Sequence, residues 1–203
     1  MLKKEFIKRI KELRYITKAS LINCKKALNT SNYQINIAIE ILKKEKLIFA
    51  NKKLNKLTTE GLIKSYIHNG SKIGVIIELN CETDFVNRQF KFHELAKNIT
   101  MQIASSKSIK YISENNIPNN IIIYEKKIEL KKKDLIHKSF NIKAKITKNR
   151  IKKKFKKLSL MNQAFIKKKE ITIEELIKEH ITLFNENIRI KRFERFILGE
   201  NLK

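Results

Sequence analysis

The chain has 203 residues and is 42% hydrophobic, enough for one domain or two small ones with a real core and too apolar for a disordered chain. No apolar run reaches the ~18 residues of a membrane-spanning helix, and Cys24 and Cys81 stand in no CxxC spacing, which argues against a zinc site and suits a reducing compartment. The formal net charge of +26 would draw acidic partners and raise their on-rates.

That charge would normally point to nucleic acid. Here it is nearly all lysine, since arginine occurs only at positions 9, 14, 88, 150, 189, 192 and 195. Arginine is the residue suited to bidentate phosphate and base contacts. Lys, Ile and Asn saturate the whole chain while Gly, Pro and Trp are scarce, a skew expected of an AT-biased genome. Part of the charge therefore reads as compositional drift.

Residues 1–50 read as a three-helix unit. Its first residues lack an apolar signal core, so a cytosolic protein is expected. Phe6, Ile10 and Leu13 mark one face of a first helix. Ser20 can cap a second with Leu21, Cys24, Ala27 and Leu28, and Asn29-Thr-Ser-Asn32 is a turn by composition. Ile35, Ala38, Ile39 and Leu42 mark a third. Such a bundle is too small for an enzyme and suits docking on a partner. Residues 51–60 have little periodicity and read as a linker.

A hairpin comes next, with strands over 62–68 and 73–81 about an Asn69-Gly70 turn. In the second strand Ile73, Val75, Ile77, Leu79 and Cys81 share one face, and Gly74, Ile76, Glu78 and Asn80 the other. Thr83-Asp-Phe-Val86 breaks the alternation. Thr83 or Asp84 can cap a helix beginning there, which puts Phe85 at a strand-to-helix corner beside an acid, a usual place to display functional side chains. Taken alone, the spacing favours the plainer reading, a strand end with an N-cap and a core phenylalanine. Phe92, Leu95, Ala96, Ile99 and Ile103 then define an amphipathic helix.

Residues 109–120 are irregular and hold Pro118, the one proline. Residues 121–158 read as helical, with Ile121, Tyr124, Ile128 and Leu135 in one stripe and Ile151, Phe155 and Leu158 in another. Lys131-Lys-Lys133 and Lys152-Lys-Lys154 are read as a solvated face in preference to a nucleic-acid surface, because no aromatic platforms are interleaved. Thr172-Ile-Glu-Glu175 is a capping box opening a helix with Leu176, Ile177 and Ile181. Residues 188–198 form a strand candidate, the third strand that the hairpin needs for stability. The expected class is α+β, with helices covering one face of a small antiparallel sheet.

No catalytic constellation emerges. His68, His93, His137 and His180 have no ligand spacing, no phosphate-binding glycine loop exists, and Glu82 with Asp84 is the only carboxylate pair near the corner. A non-enzyme without a cofactor or metal of its own is expected.

Three separated motifs resemble the bacterial translation elongation factor Ts family. One is Leu13-Arg-Tyr-Ile-Thr-Lys-Ala-Ser-Leu-Ile-Asn-Cys-Lys-Lys-Ala-Leu28 followed by Asn36–Glu40, similar to the family's ubiquitin-associated-type (UBA-like) three-helix domain. The second is Glu60-Gly61 with Glu78-Leu-Asn-Cys-Glu-Thr-Asp-Phe-Val86. The third is Glu186-Asn-Ile-Arg-Ile-Lys-Arg-Phe-Glu-Arg-Phe-Ile-Leu-Gly-Glu200, preceded by Leu160–Phe165. The resemblance implies a UBA-like domain over 1–50, a linker over 51–60, and a core module over 61–203 with a central helical segment at 119–158. It implies a guanine-nucleotide exchange factor for elongation factor Tu, engaging the GDP-bound and nucleotide-free forms. Phe85 would wedge into the partner near its magnesium and nucleotide site, with Asp84 as polar neighbour and Thr83 and Val86 shaping the corner. Arg14, Leu21, Ile22 and Lys25 fall on the family's N-terminal contact positions.

Departures from the family pattern are Lys18-Ala19-Ser20 for a Gly-Ala-Gly loop, Asn23 for an acid, Ala164 for a proline and Asn149 for a glycine. At this length one core module is expected, and a homodimer would supply the second that longer members carry. The alternative reading is a basic RNA- or ribosome-binding protein. Neither a membrane nor nucleic acid is required by the exchange reading.

Overall fold

A computed structural model describes residues 3–17, 19–135 and 138–200. Of the positions singled out above, Lys18 and His137 lie outside the described residues. The N-terminal unit is α1 (Lys3–Thr17), α2 (Leu21–Thr30) and α3 (Ile35–Lys53). Its core is Leu13, Cys24, Ala27, Leu28, Ala38 and Leu42, with Phe6 and Ile10 packed against it. Ser20 caps α2 by accepting the Asn23 N–H at 3.2 Å. Lys46 on α3 donates to the Thr17 carbonyl at 2.6 Å, tying off the end of α1.

The third helix runs three residues into the stretch read as a linker, leaving 54–59 as the connection. Its later half lies on α8 (Ile173–Phe184), and Ala50 is buried in the main core. A helix can reach across in this way because Ala50 is small enough for close approach.

The sheet is antiparallel in the order β1 (Glu60–Ile67), β2 (Ile73–Cys81), β5 (Arg189–Ile197). β2 is central, and of its expected inward residues Val75, Ile77, Leu79 and Cys81 are buried and Ile73, at the strand's start, is half-buried. The hairpin loop is longer than a two-residue turn. It closes from His68 to Ile73, with Gly70 and Ser71 both at positive φ. Gly61 has φ +151°, and a Cβ there would lie 2.3 Å from the Leu79 carbonyl oxygen, so only glycine lets β1 approach β2 at this point. A bulge opposite Glu78 and Leu79 takes up Lys191, which keeps both Ile190 and Phe193 on the inner face.

The inner face is covered by α5 (Phe90–Ser105), whose Phe92, Leu95, Ala96, Ile99 and Ile103 are buried as their spacing predicts. The outer face carries no covering element among the described residues, and Ile63, Ile67, Ile76, Phe196 and Leu198 are exposed. The α+β class, with helices on one sheet face, is what the sequence pattern indicates.

In the central segment the Ile151–Phe155–Leu158 stripe packs as expected, whereas the Ile121–Tyr124–Ile128–Leu135 stripe holds only at its ends. The segment folds as α6 (Asn119–Leu130), a 3-10 turn at Lys133–Leu135 and α7 (Phe140–Leu158). Leu135, Ile151 and Phe155 are buried, but Tyr124 and Ile128 are exposed. The middle of that stripe fails because α6 turns acids inward: Glu125 meets Lys154 at 2.5 Å, and Glu129 is buried beside Arg150 of α7. Periodicity counts apolar residues and cannot see a seam closed by ion pairs.

A short hairpin, β3 (Ala164–Phe165) and β4 (Lys168–Thr172), has no counterpart in the sequence pattern; two and five residues give too little alternation to read. The Thr172–Glu175 capping box is present in both directions, with Glu175 N–H donating to Thr172 Oγ1 at 3.2 Å and Thr172 N–H donating to Glu175 Oε2 at 2.7 Å. Thr172→Ala removes one of these bonds and is expected to cost about 1 kcal/mol in urea unfolding, with unchanged m-value.

Candidate functional site

The corner after β2 is built by a change of backbone period. Thr83 is still extended, with φ −129°, and α4 (Asp84–Asn87) is a single helical turn. One turn reverses the side-chain directions. Val86 points inward and is 2% exposed in the main core, whereas Phe85 stands 70% exposed. Val86 therefore anchors the corner from beneath. Asp84 pairs with Arg88 at 2.9 Å on the surface, a contact that orients the acid more than it stabilises the fold.

Thr83 occupies the cap position but makes no side-chain bond to α4. Both of its donors go elsewhere. Its N–H reaches Glu186 Oε2 at 3.0 Å and its hydroxyl reaches Glu186 Oε1 at 2.6 Å. The loop before β5 returns the arrangement: Asn187 N–H donates to Glu82 Oε1 at 2.6 Å. Residues 82–83 and 186–187 thus exchange side chain for backbone across two adjacent segments. Asn187 Nδ2 also donates to the carbonyls of Leu54 and Lys56, and Lys56 approaches Glu82 at 3.4 Å. The connection from the N-terminal unit is fastened to the same knot.

Two further groups steady the corner. The Cys81 thiol donates to the Thr83 carbonyl at 3.1 Å. Burial, then the nearby Glu186 and Glu60 charges, push that thiol up to about 11, so it remains a neutral hydrogen-bond donor at any ordinary pH. His93, one turn into α5, bonds the Asn87 carbonyl at 2.9 Å.

Thr83, Asp84, Phe85 and Val86 are thus brought together at one corner, with one side chain displayed and three neighbours holding it. Arg14, Leu21, Ile22 and Lys25 form a second group, all exposed, on the end of α1 and the outer side of α2. Leu21 and Ile22 are 49% and 79% exposed, so they are available to a partner. Tyr15 and Ile16 beside them are also exposed, and Phe90 at the start of α5 is a second bare aromatic. Tyr15 and Ile16 lie off the Phe6–Ile10–Leu13 stripe, and Phe90 lies off the α5 core stripe. That displacement from the buried spacing is the signal that marks all three. Glu186 and Asn187 open the third sequence motif, but nothing local marks their partners, which lie 103 and 105 residues away.

Among the described residues no group of three or more His, Cys, Asp or Glu side chains is placed to hold a metal ion, and no helix is long and apolar enough to cross a membrane. A cleft of about 450 Å³ is lined by residues including Ser113, Glu114, Asn162, Glu174, Lys178 and Arg189, and the Ser113 hydroxyl is spent on Asn116 Oδ1 at 2.6 Å.

The family model described as "Elongation factor TS" matches residues 4–200. The chain is 52% identical over 196 residues to a protein named "Elongation factor Ts, chloroplastic" from Rhodomonas salina, covering 97% of this chain and 90% of that one. It is 52% identical over 190 residues to the protein of the same name from Galdieria sulphuraria, covering 94% and 96%. It is 47% identical over 196 residues to "Elongation factor Ts" of Picosynechococcus sp., covering 97% and 90%.

Proposed function

The chain belongs to the elongation factor Ts family, and from that premise we propose that it is a guanine-nucleotide exchange factor for elongation factor Tu. It acts mechanically, without a cofactor or covalent intermediate. The observation that carries this reading is Phe85, exposed at 70% on a turn whose neighbours are all fixed. A bare aromatic on a rigid support suits insertion into a partner, because little ordering entropy remains to be lost.

In this reading Phe85 enters the partner near its magnesium and nucleotide site. Asp84, held by Arg88, presents a carboxylate there, and the clamp from Glu186 resists the recoil. Arg14, Leu21, Ile22 and Lys25 grip the partner separately, which keeps the two proteins aligned while nucleotide leaves. The energetics are reciprocal: a factor that binds the nucleotide-free form more tightly lowers nucleotide affinity by the same ratio. Gel filtration tests this directly. The two proteins co-migrate without nucleotide, and excess GDP separates them; co-migration insensitive to GDP contradicts the proposal.

The homodimer belongs to the same proposal. The uncovered sheet face with Ile63, Ile67, Ile76, Phe196 and Leu198 exposed supports it. Sedimentation equilibrium is expected to give twice the 24.0 kDa chain mass at micromolar concentration. Phe196→Asp should return it to monomer; a wild-type monomer with full exchange activity removes the dimer from the account.

A further inference from the structure

We propose that the outer face of α7 binds a nucleic-acid phosphate backbone without regard to sequence, a second surface separate from the exchange corner. Across its nineteen residues α7 carries eight lysines and Arg150 and no acid. It thus supplies nine of the net 26 positive charges. Drift in composition would spread lysine evenly and leave acids interleaved, as they are in α1, α3, α5 and α8. In α7 they are absent.

The structure sharpens the asymmetry. Three acids beside α7 are paired with it: Glu125 of α6 with Lys154, and Glu129 of α6 and Asp134 of the following 3-10 turn with Arg150. Lys145, Lys148, Lys152, Lys153, Lys156 and Lys157 are exposed and have no acidic partner among the described residues. Lys145, Lys152, Lys153, Lys156 and Lys157 turn away from the buried Thr147, Ile151 and Phe155, and Lys148 flanks Phe155. Lysines at i, i+3 and i+4 repel one another and weaken an isolated helix. An anionic partner relieves that repulsion.

The chemistry selects a nucleic-acid backbone over an acidic protein. Protein interfaces are depleted in lysine and centred on aromatic or arginine anchors, which this face lacks. Nucleic-acid interfaces are positively charged and polar. The one arginine is already engaged and the one aromatic between 145 and 157, Phe155, is buried. Lysine as a point charge reaches phosphate but reads no base, and without a stacking platform the face suits duplex backbone more than splayed single strands. α7 packs on α6 and the turn at Glu114–Asn116, away from α4.

The test is fluorescence anisotropy of a 5′-labelled RNA hairpin, with a stem of about two helical turns, titrated with the full chain over a range of KCl. Two triple variants remove equal charge: Lys145→Gln/Lys152→Gln/Lys156→Gln on α7, and Lys167→Gln/Lys168→Gln/Lys169→Gln on the β3–β4 hairpin. Circular dichroism checks that both stay folded. The α7 triple is expected to weaken binding about tenfold or more and to lower the slope of log K against log salt by about 2 to 3. The hairpin triple should change affinity less than about twofold, and GDP release should be unchanged in both. Equal losses from the two triples would mean bulk charge alone and overturn the proposal. So would an undetectable wild-type complex, or polyglutamate competing as well as RNA, which would assign the face to an acidic protein.

Discussion

Phe85→Ala is expected to slow catalysed GDP release from elongation factor Tu by about 10- to 100-fold, the equivalent of withdrawing one phenylalanine from a pocket at about 1.5–3 kcal/mol. The fold does not share the loss. The side chain is mostly solvent-exposed before binding, so its removal should move unfolding free energy by no more than about 0.5 kcal/mol. Stopped-flow fluorescence with a labelled GDP gives the rate, and urea unfolding gives the stability. A wild-type rate, or a slow rate explained by an unfolded chain, contradicts the assignment. Asp84→Ala is expected to cost less, or a similar factor if the acid and the ring act as one unit.

Glu186→Ala is expected to reduce the maximal release rate about tenfold while leaving the half-saturating concentration nearly unchanged. The carboxylate accepts both donors of Thr83, and hydrogen bonds to a charged group are worth about 1.5–3 kcal/mol each when shielded, less at a partly exposed corner. Without them the corner gives way when Phe85 meets resistance. Glu186→Gln keeps one acceptor oxygen and should recover part of the rate. The double variant Phe85→Ala/Glu186→Ala distinguishes positioning from general damage. If Glu186 acts through Phe85, the double variant is barely slower than Phe85→Ala alone; multiplied losses place Glu186 in some other role.

The local parts of this fold are legible in the sequence. The period-2 run through Val75, Ile77 and Leu79, the helical run from Phe92 to Ile103 and the capping box at Thr172 each announce themselves within a dozen residues. Phe85 is only half legible. Spacing puts it at a corner, but whether it faces the core or solvent depends on the one-turn helix that buries Val86 instead. The support beneath it is not legible at all. Glu186 and Asn187 lie over a hundred residues from Thr83 and Glu82, and nothing local marks a glutamate that will accept a distant backbone N–H. The central segment misleads for a related reason. Ile121 and Ile122 of α6 pack on Ile151 and Phe155 of α7, but further along the seam Glu125 and Glu129 join α7 by ion pairs, so Tyr124 and Ile128 are left outside.

The most direct measurement is the release of fluorescent GDP from purified elongation factor Tu with increasing amounts of the wild-type chain. The release rate should rise and saturate, with substoichiometric chain turning over many partner molecules and Phe85→Ala lowering the plateau. A release rate independent of the chain at every concentration would contradict an exchange function.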